Sequence, residues 1–204
     1  MNIKQNLVSK DKYGIKCPYA LTPTYITIHN TYNDAPAANE IKYMISNNKE
    51  VSFHIAVDDK EAIQGIPFNR NAWHAGDGGS GIGNRQSIAV EICYSKSGGA
   101  KFDKAYANAL EVVAQLMKEF NIPASNIKYH KNWSGKNCPH RLIAMGVTVE
   151  KFRALAQTKY NALYVKDEKK LYQVVAGSFY VKENAETKAN ELRSKGFDCF
   201  IQVK

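Results

Sequence analysis

The stretch TYITIHNT, residues 24–31, reads as a strand that ends on a histidine. Ile26 and Ile28 alternate with more polar neighbours, and this period of two predicts a β-strand. His29 follows at the end of the strand, a position from which active-site ligands usually project. A core histidine satisfied by backbone hydrogen bonds would fit the same pattern. The stretch therefore predicts one strand of a sheet and one candidate ligand.

Other strand patterns lie further along the chain. SFHIAVDD and EAIQGIPF, in residues 52–68, read as two strands around a polar turn, and SIAVEICYS, residues 87–95, is apolar enough for the centre of a sheet. Residues 126–130 are predicted to form a short strand or an extended piece. The glycine-rich NAWHAGDGGSGIGNRQ, residues 71–86, is predicted to be a long surface loop.

Helical patterns separate these strands. Apolar residues recur at helical spacing over residues 102–120, and Asp34 can cap an earlier helix that carries Ile41 and Met44. A last helix is predicted over residues 148–157. The interleaving favours the α/β (α+β) class, with a mixed central β-sheet flanked by helices.

The composition is that of a globular protein with an anionic partner. The chain has 204 residues, 44% hydrophobic and 23% charged, with a formal net charge of +9. Its lysines and arginines are dispersed without a nucleic-acid signature, which disfavours nucleic acid and leaves an anionic polymer such as a bacterial cell wall. No apolar run is long enough for integral membrane association, and the start lacks a secretory signal peptide. We therefore expect synthesis in the cytoplasm.

A second concentration of candidate ligands lies in HKNWSGKNCPHR, residues 130–141. His130, Cys138 and His140 are the metal-binding residue types in it. Their spacing matches no zinc finger, and a packed cysteine is an equal alternative for Cys138. Together with His29, these residues provide enough candidate ligands to favour a metal site.

Five motifs in order carry a family resemblance. TYITIHNT, VSFHIAV, AWHAGDG, SIAVEIC and YHKNWSGKNCPHRL resemble the zinc-dependent N-acetylmuramoyl-L-alanine amidases of phage endolysins and autolysins, relatives of the peptidoglycan-recognition proteins. The resemblance covers about residues 10–157. It implies a mixed sheet with flanking helices and hydrolysis of the amide between muramic acid and L-alanine in bacterial peptidoglycan.

The resemblance also implies the metal ligands. Carried over by motif, they are His29, His130 and Cys138, holding one zinc ion in the catalytic domain. Two imidazoles and one thiolate leave a fourth tetrahedral position open for water, as a hydrolytic zinc requires.

Two catalytic residues follow from the same motifs. Glu91 matches the glutamate that takes a proton from water and passes it to the leaving amine, and a carboxylate in an apolar strand is costly to bury without such a role. The alternative is a glutamate at a strand edge facing solvent. Lys136 matches the lysine that stabilises the oxyanion, although most lysines in such loops are merely solvated.

The remaining histidines have supporting roles. The resemblance assigns His74 to the lining of the substrate groove with Trp73 beside it as an apolar wall, against the alternative of a plain loop histidine. His54 lies in an apolar strand and is predicted to be packed or to support a ligand. His140 is predicted to support the site rather than bind the metal.

The C-terminal part is a separate small unit. We expect a catalytic domain over 1–157, a lysine-rich linker over 158–170 and a β-α-β unit over 171–204. The last unit resembles one half of a sporulation-related (SPOR) repeat, a family that binds peptidoglycan glycan strands. Two such halves would complete a module, so we hypothesise a homodimer through the tails; the alternative is a tail packed on the catalytic domain.

Two functional classes remain in competition. One is an enzyme that reaches the cell wall after release by a phage holin or host lysis. The other is a recognition protein that binds peptidoglycan without cleaving it. Non-catalytic relatives typically lack the cysteine ligand, so Cys138 favours the enzyme.

Overall fold

Six strands form one mixed sheet in the computed structural model, which describes residues 1–165 and 175–203. The order across the sheet is β1-β4-β3-β5-β2-β6. Only β3 and β4 run antiparallel to each other; the other neighbours are parallel. The strands are β1 (Ile3–Gln5), β2 (Tyr25–Asn30), β3 (Ile55–Val57), β4 (Ala62–Gln64), β5 (Ser87–Ile92) and β6 (Ile127–Tyr129).

The two longest strands, β2 and β5, lie side by side in the interior of the sheet. Because side chains alternate between faces along a strand, one face of this pair is apolar and the other is polar. Ile26 and Ile28 belong to the apolar face. Thr27 and His29 belong to the opposite face, and the parallel register sets His29 directly beside Glu91.

Eight α-helices lie in the described part of the chain. In the first unit, α2 packs on β3 and β4, while α4 packs on β5 and on α7. The helices are α1 (Tyr13–Lys16), α2 (Ala37–Ser46), α3 (Ile82–Gln86), α4 (Gly99–Glu119), α5 (Lys131–Ser134), α6 (His140–Ala144), α7 (Val149–Tyr164) and α8 (Lys182–Ser194). None of these helices combines the length and apolar composition that crossing a lipid bilayer requires.

The predicted sheet class is confirmed, two local predictions are corrected, and one strand was not predicted. The loop over residues 71–86 contains the short helix α3. Asp34 does not cap α2; its carboxylate binds Ser97, and Asp58 accepts from the first N–H of the helix, on Ala37, at 2.9 Å. Strand β1 was not predicted, because its sequence, Ile-Lys-Gln, has a single apolar residue and shows no alternation.

The last helix of the first unit is longer than predicted. Helix α7 continues seven residues past residue 157, so the start of the predicted linker, residues 158–164, is helical. None of these residues is a glycine or proline, and Tyr160 packs against the hydrophobic core. The partial burial of Tyr160 and the absence of a helix breaker explain why the polar composition of this segment does not end the helix.

The chain divides into two compact units, Met1–Lys166 and Asp167–Lys204. The described part of the second unit contains the predicted helix, α8, but its flanks at residues 175–179 and 197–203 form no strand. A β-strand is stabilised by hydrogen bonds to a neighbouring strand, and one half-repeat offers few neighbouring strands. Residues 171–174 and Lys204, which belong to the predicted strands, lie outside the described residues.

Candidate metal centre

Three parallel strands bring chemistry-bearing residues to one edge of the sheet. His29 and Glu91 are paired near the carboxyl ends of β2 and β5. On the other side of β2, Ile28 pairs with Tyr129 on β6, so the next residue of that chain segment, His130, follows at the level of His29. Ligand sites of sheets with parallel strands usually lie at this carboxyl edge. The topology therefore assembles residues that are about a hundred positions apart in sequence.

Cys138 reaches this edge on the segment between α5 and α6. The peptide N–H of Lys131 donates to the Cys138 carbonyl at 3.0 Å. The side-chain oxygen of Asn30 accepts from the backbone N–H groups of Arg141 and Leu142, at 3.0 and 3.3 Å, and so caps the start of α6. Asn30 directly follows His29, and it thereby ties the cysteine segment to the strand that carries a histidine of the same cluster.

His29, His130 and Cys138 form a cluster that could hold a metal ion. Their ligand atoms all lie within 4.8 Å of one another, and all three residues are buried. His29 Nδ1 lies 3.6 Å from Cys138 Sγ. Tetrahedral zinc, with Zn–N of about 2.1 Å and Zn–S of about 2.3 Å, separates nitrogen and sulfur by about 3.6 Å. The donor types and this spacing fit a tetrahedral zinc site.

The surroundings keep both imidazoles neutral, which is the form that binds a metal. Burial lowers the pKa of His29 well below its usual range, and the neighbouring His74 and His130 rings add to the effect. Burial, together with the positive charge of Lys136, lowers the pKa of His130 to about 4, against an opposing hydrogen bond to the backbone of Ala75. Each of the two neutral rings therefore has one nitrogen with a lone pair at neutral pH.

Glu91 lies beside the cluster and lacks a hydrogen-bond partner for one oxygen. Its Oε1 is 4.0 Å from His29 Nδ1, and only 17% of its side chain is exposed. Its buried Oε2 has no partner among the described residues. Burial raises the pKa of Glu91 to about 8; Glu40 adds to the rise and Lys136 opposes it. A carboxyl group with this affinity for a proton can both accept and donate one near neutral pH.

Lys136 is exposed and its charge reaches the whole cluster. It lowers the pKa values of His29 and His130, and it also opposes the rise in the pKa of Glu91. It forms no salt bridge within residues 1–165 or 175–203. An ammonium group in this position can meet negative charge that develops beside the cluster.

The two predicted substrate-contacting residues have partners inside the protein. His74 is only 9% exposed, and its Nδ1 lies 3.0 Å from His29 Nε2. Trp73 is half-buried, donates its indole N–H to the Ile15 carbonyl at 3.0 Å, and meets the Tyr19 ring edge to face. Direct contact of either residue with a substrate stays a prediction.

The other two histidines lie outside the cluster. His54 is fully buried; its Nε2 donates to the Arg70 carbonyl at 2.9 Å, and its Nδ1 accepts from the Ala89 N–H at 3.0 Å. This confirms the predicted packed role. His140 stacks at a tilt against the exposed Tyr32 ring, with centroids 4.6 Å apart. Its ring is therefore not one of the clustered ligands.

Sequence patterns contained little indication of the residues that hold the glycine-rich loop. Asn84 Oδ1 accepts from the backbone N–H groups of His74 and Ala75, at 2.9 and 2.8 Å. The Asp77 carboxylate accepts from the backbone of Gly83 and Asn84 at the start of α3. An aspartate and an asparagine among glycines were the only signal, because both residue types bind backbone groups in turns.

Comparison with known proteins gives matches for both parts of the chain. The profile of the family described as N-acetylmuramoyl-L-alanine amidase matches residues 19–141, more than half of the 204 residues. The profile described as SPOR domain matches residues 148–202. The second match begins at residue 148, one residue before α7, and thus well before the predicted tail unit at 171.

Two curated relatives and one solved structure are similar to the first part. N-acetylmuramoyl-L-alanine amidase CwlA from Bacillus sp is 62% identical over 146 residues, which are 72% of this chain and 58% of the relative. N-acetylmuramoyl-L-alanine amidase XlyB from Bacillus subtilis (strain 168) is 60% identical over 71% of this chain and 45% of the relative. This chain thus spans about half the length of these relatives. The structure of PlyL, 60% identical with a TM-score of 0.73, matches 78% of this chain and 97% of that chain.

Proposed function

This chain belongs to the N-acetylmuramoyl-L-alanine amidase family, and on that premise we propose that it cleaves bacterial peptidoglycan. The bond would be the amide between the lactyl group of N-acetylmuramic acid and L-alanine. The observation that carries the proposal is the His29, His130 and Cys138 cluster with Glu91 beside it, whose Oε2 has no partner among the described residues.

The proposed cofactor is one zinc ion held by His29, His130 and Cys138. When bound, zinc polarises a carbonyl oxygen and lowers the pKa of water toward neutrality. The cysteine ligand favours zinc over a hard cation such as Mg²⁺, which prefers oxygen ligands.

Glu91 is proposed to move the proton. As the oxygen of a water molecule forms a bond to the amide carbon, the water gives a proton to the Glu91 carboxylate. The C–N bond then breaks, and the same carboxyl group donates that proton to the departing nitrogen of L-alanine. Its unpaired oxygen and raised pKa support this double role.

Lys136 is proposed to stabilise the oxyanion of the tetrahedral intermediate. Its charge already acts on Glu91 and His130, so it lies near enough to act on charge that forms between them. His74 is proposed to line the substrate groove, with Trp73 beside it as an apolar wall.

The second unit is proposed to add affinity for the wall. Its similarity to the SPOR domain supports binding to peptidoglycan, and the net charge of +9 favours anionic wall polymers. Pairing of two tails into a homodimer would cover apolar side chains that are exposed on it, including Val175, Phe197 and Phe200. Access to the wall would follow release by a phage holin or by host lysis.

Digestion of purified cell walls tests the activity. We expect new free amino termini of L-alanine with zinc present, loss of the activity with a chelator, and recovery when zinc is returned. If no such termini form with zinc bound, the protein is a peptidoglycan-binding protein without this activity.

A conservative change at Glu91 tests the proton transfer. Glu91→Gln should keep zinc bound but lower turnover by at least about 100-fold, because an amide cannot relay the proton. Glu119→Gln, an exposed change at the end of α4, is the matched control and should digest walls normally. Full turnover by Glu91→Gln would remove Glu91 from the mechanism.

A further inference from the structure

The His74 ring lies directly behind His29. The two rings meet edge to face, with centroids 5.1 Å apart, and His29 Nε2 lies 3.0 Å from His74 Nδ1. Both residues are buried. A hydrogen bond at this distance needs an N–H on one nitrogen and a lone pair on the other, so the tautomers of the two rings depend on each other.

The nitrogen of His29 that faces the cluster determines how the two rings share a proton. His29 Nδ1 lies 3.6 Å from Cys138 Sγ, so a metal held by the cluster would bind the lone pair of this atom. The proton of a neutral His29 is then on Nε2, and His74 Nδ1 must accept it. In this arrangement the N–H of a neutral His74 is on Nε2, 3.5 Å from Ser87 Oγ.

The contact with His74 stabilises this arrangement from behind. When His74 Nδ1 accepts the N–H of His29 Nε2, the His29 ring is held in one orientation and its Nδ1 keeps the lone pair. The tautomer that this hydrogen bond stabilises is therefore the one that presents a lone pair to the ligand cluster.

A buried polar chain holds these groups in place. Ser87 Oγ lies 2.6 Å from Thr27 Oγ1, and the Trp133 indole N–H donates to the same Thr27 oxygen at 2.9 Å. An indole N–H can only donate, so Thr27 Oγ1 accepts at this point. The backbone N–H of His74 is bound by Asn84 Oδ1 at 2.9 Å, which fixes the position of the ring from the loop side.

We propose that His74 is a positioning residue that sets the tautomer of His29, so that the metal-binding nitrogen is bare before a metal arrives. The acceptor here is a neutral imidazole, whereas metal-bound histidines usually donate to a carboxylate, a carbonyl or water. His74 thus orients a ligand without adding negative charge to the site. This inference rests on the zinc site of the proposed function.

The tautomer can be read directly in the metal-free protein. Long-range ¹H–¹⁵N spectra of the full chain, with labelled histidine and at a pH where these rings are neutral, distinguish Nδ1–H from Nε2–H. We expect His29 to carry its proton on Nε2. A wild-type His29 protonated on Nδ1 would overturn the proposal, and this measurement depends on no variant.

Three variants test the consequence for zinc. His74→Phe keeps a ring but removes the acceptor; it should mix the tautomers of His29 and weaken zinc binding by about 10- to 100-fold in chelator competition. His74→Asn, whose side-chain oxygen can replace Nδ1, should restore most of the affinity. His140→Phe is the matched control, because that ring faces Tyr32, and it should bind zinc like the wild type.

The outcomes separate this inference from the proposed function. Unchanged zinc affinity in a folded His74→Phe protein would overturn the positioning role while leaving the zinc enzyme intact. Equal weakening by His140→Phe would overturn it as well, because the effect would not be specific to His74. Absence of zinc binding in the wild type would instead contradict the proposed function.

Discussion

Cys138 differs from the two histidines of the cluster because it must lose a proton to bind a metal. Burial raises the pKa of this thiol to about 12; Glu91 adds to the rise, and the backbone of Asn30 and the charge of Lys136 oppose it. The metal-free thiol is therefore protonated at neutral pH. Zinc binding must release this proton, so zinc affinity should decrease on acidification.

Cys138→Ser should weaken zinc binding by more than about 100-fold, since removal of a ligand exceeds the loss expected for a supporting group. Cys199→Ser, at a partly exposed cysteine of the second unit, is the control and should leave zinc content unchanged. Metal analysis after dialysis measures both. A Cys138→Ser protein with full zinc content would remove Cys138 from the ligand set.

His54 is a residue whose neutrality stabilises the fold itself. Burial lowers its pKa to about 4, while its bond to the Arg70 carbonyl opposes the shift. The unfolded chain takes up this proton near pH 6.5, so between about pH 6.5 and 4 the unfolded state binds more protons than the folded state. The contribution of His54 is fully present above pH 6.5 and is lost as the pH falls through this window.

The metal-free protein should accordingly lose stability on acidification, with His54 contributing about 3 kcal/mol across the window. His54→Gln keeps a donor for Arg70 but cannot titrate. It should be less stable at pH 7 and show a shallower decline toward pH 4. Urea denaturation across this range measures the free energy of unfolding. Parallel declines in the two proteins would contradict the assignment.

At the scale of elements, one strand end and one helix start are joined through a single side chain. Asn30, at the end of β2, caps α6 and donates its amide N–H to the His29 carbonyl at 3.1 Å. Asn30 is only 6% exposed, so its bonds have little competition from water. The position of the Cys138 segment relative to His29 thus depends on this side chain.

Asn30→Ala should reduce stability by about 1–3 kcal/mol, because two backbone N–H groups of α6 lose their acceptor. It should also weaken zinc binding, as the cysteine segment is no longer tied to β2. Asn126→Ala, which removes one exposed hydrogen bond to the Thr24 carbonyl, is the control. Thermal unfolding and chelator competition measure the two effects, and an Asn30→Ala protein equal to the control in both would refute this role.

The elements themselves were predictable where their pattern is local. The period-two alternation of residues 24–31 predicted β2, and helical spacing predicted α4. The bonds of His29 to His74 and of Asn30 to Leu142 span 45 and 112 positions, so no local pattern contains them. The candidate ligands came from residue types and motif order, whereas their supports required the packed structure.

At the scale of the whole molecule, the second unit is an incomplete hydrophobic assembly when taken alone. Phe179, Phe197, Phe200 and Val203 are all exposed in it. Only Ala189 is buried among its described residues. Units below about 40 residues usually need a partner or a covalent staple to fold stably. A second tail would provide such a partner.

Sedimentation of the full chain should show a monomer–dimer equilibrium that shifts with concentration. A chain ending at residue 165 should remain monomeric under the same conditions, because it lacks the second unit. Phe200→Ser in the full chain should weaken association without altering the catalytic unit. If the full chain is monomeric at every concentration, pairing of the tails is wrong.

The direct pairing of His29 with Glu91 also makes the site a check on correct folding. A slip of β2 against β5 by one residue would reverse which face each side chain occupies, and would turn His29 or Glu91 into the apolar layer beneath the sheet. A misaligned molecule would therefore be unable to capture zinc. Metal uptake during refolding should therefore measure the fraction of molecules whose strands are correctly aligned. This measurement requires no substrate.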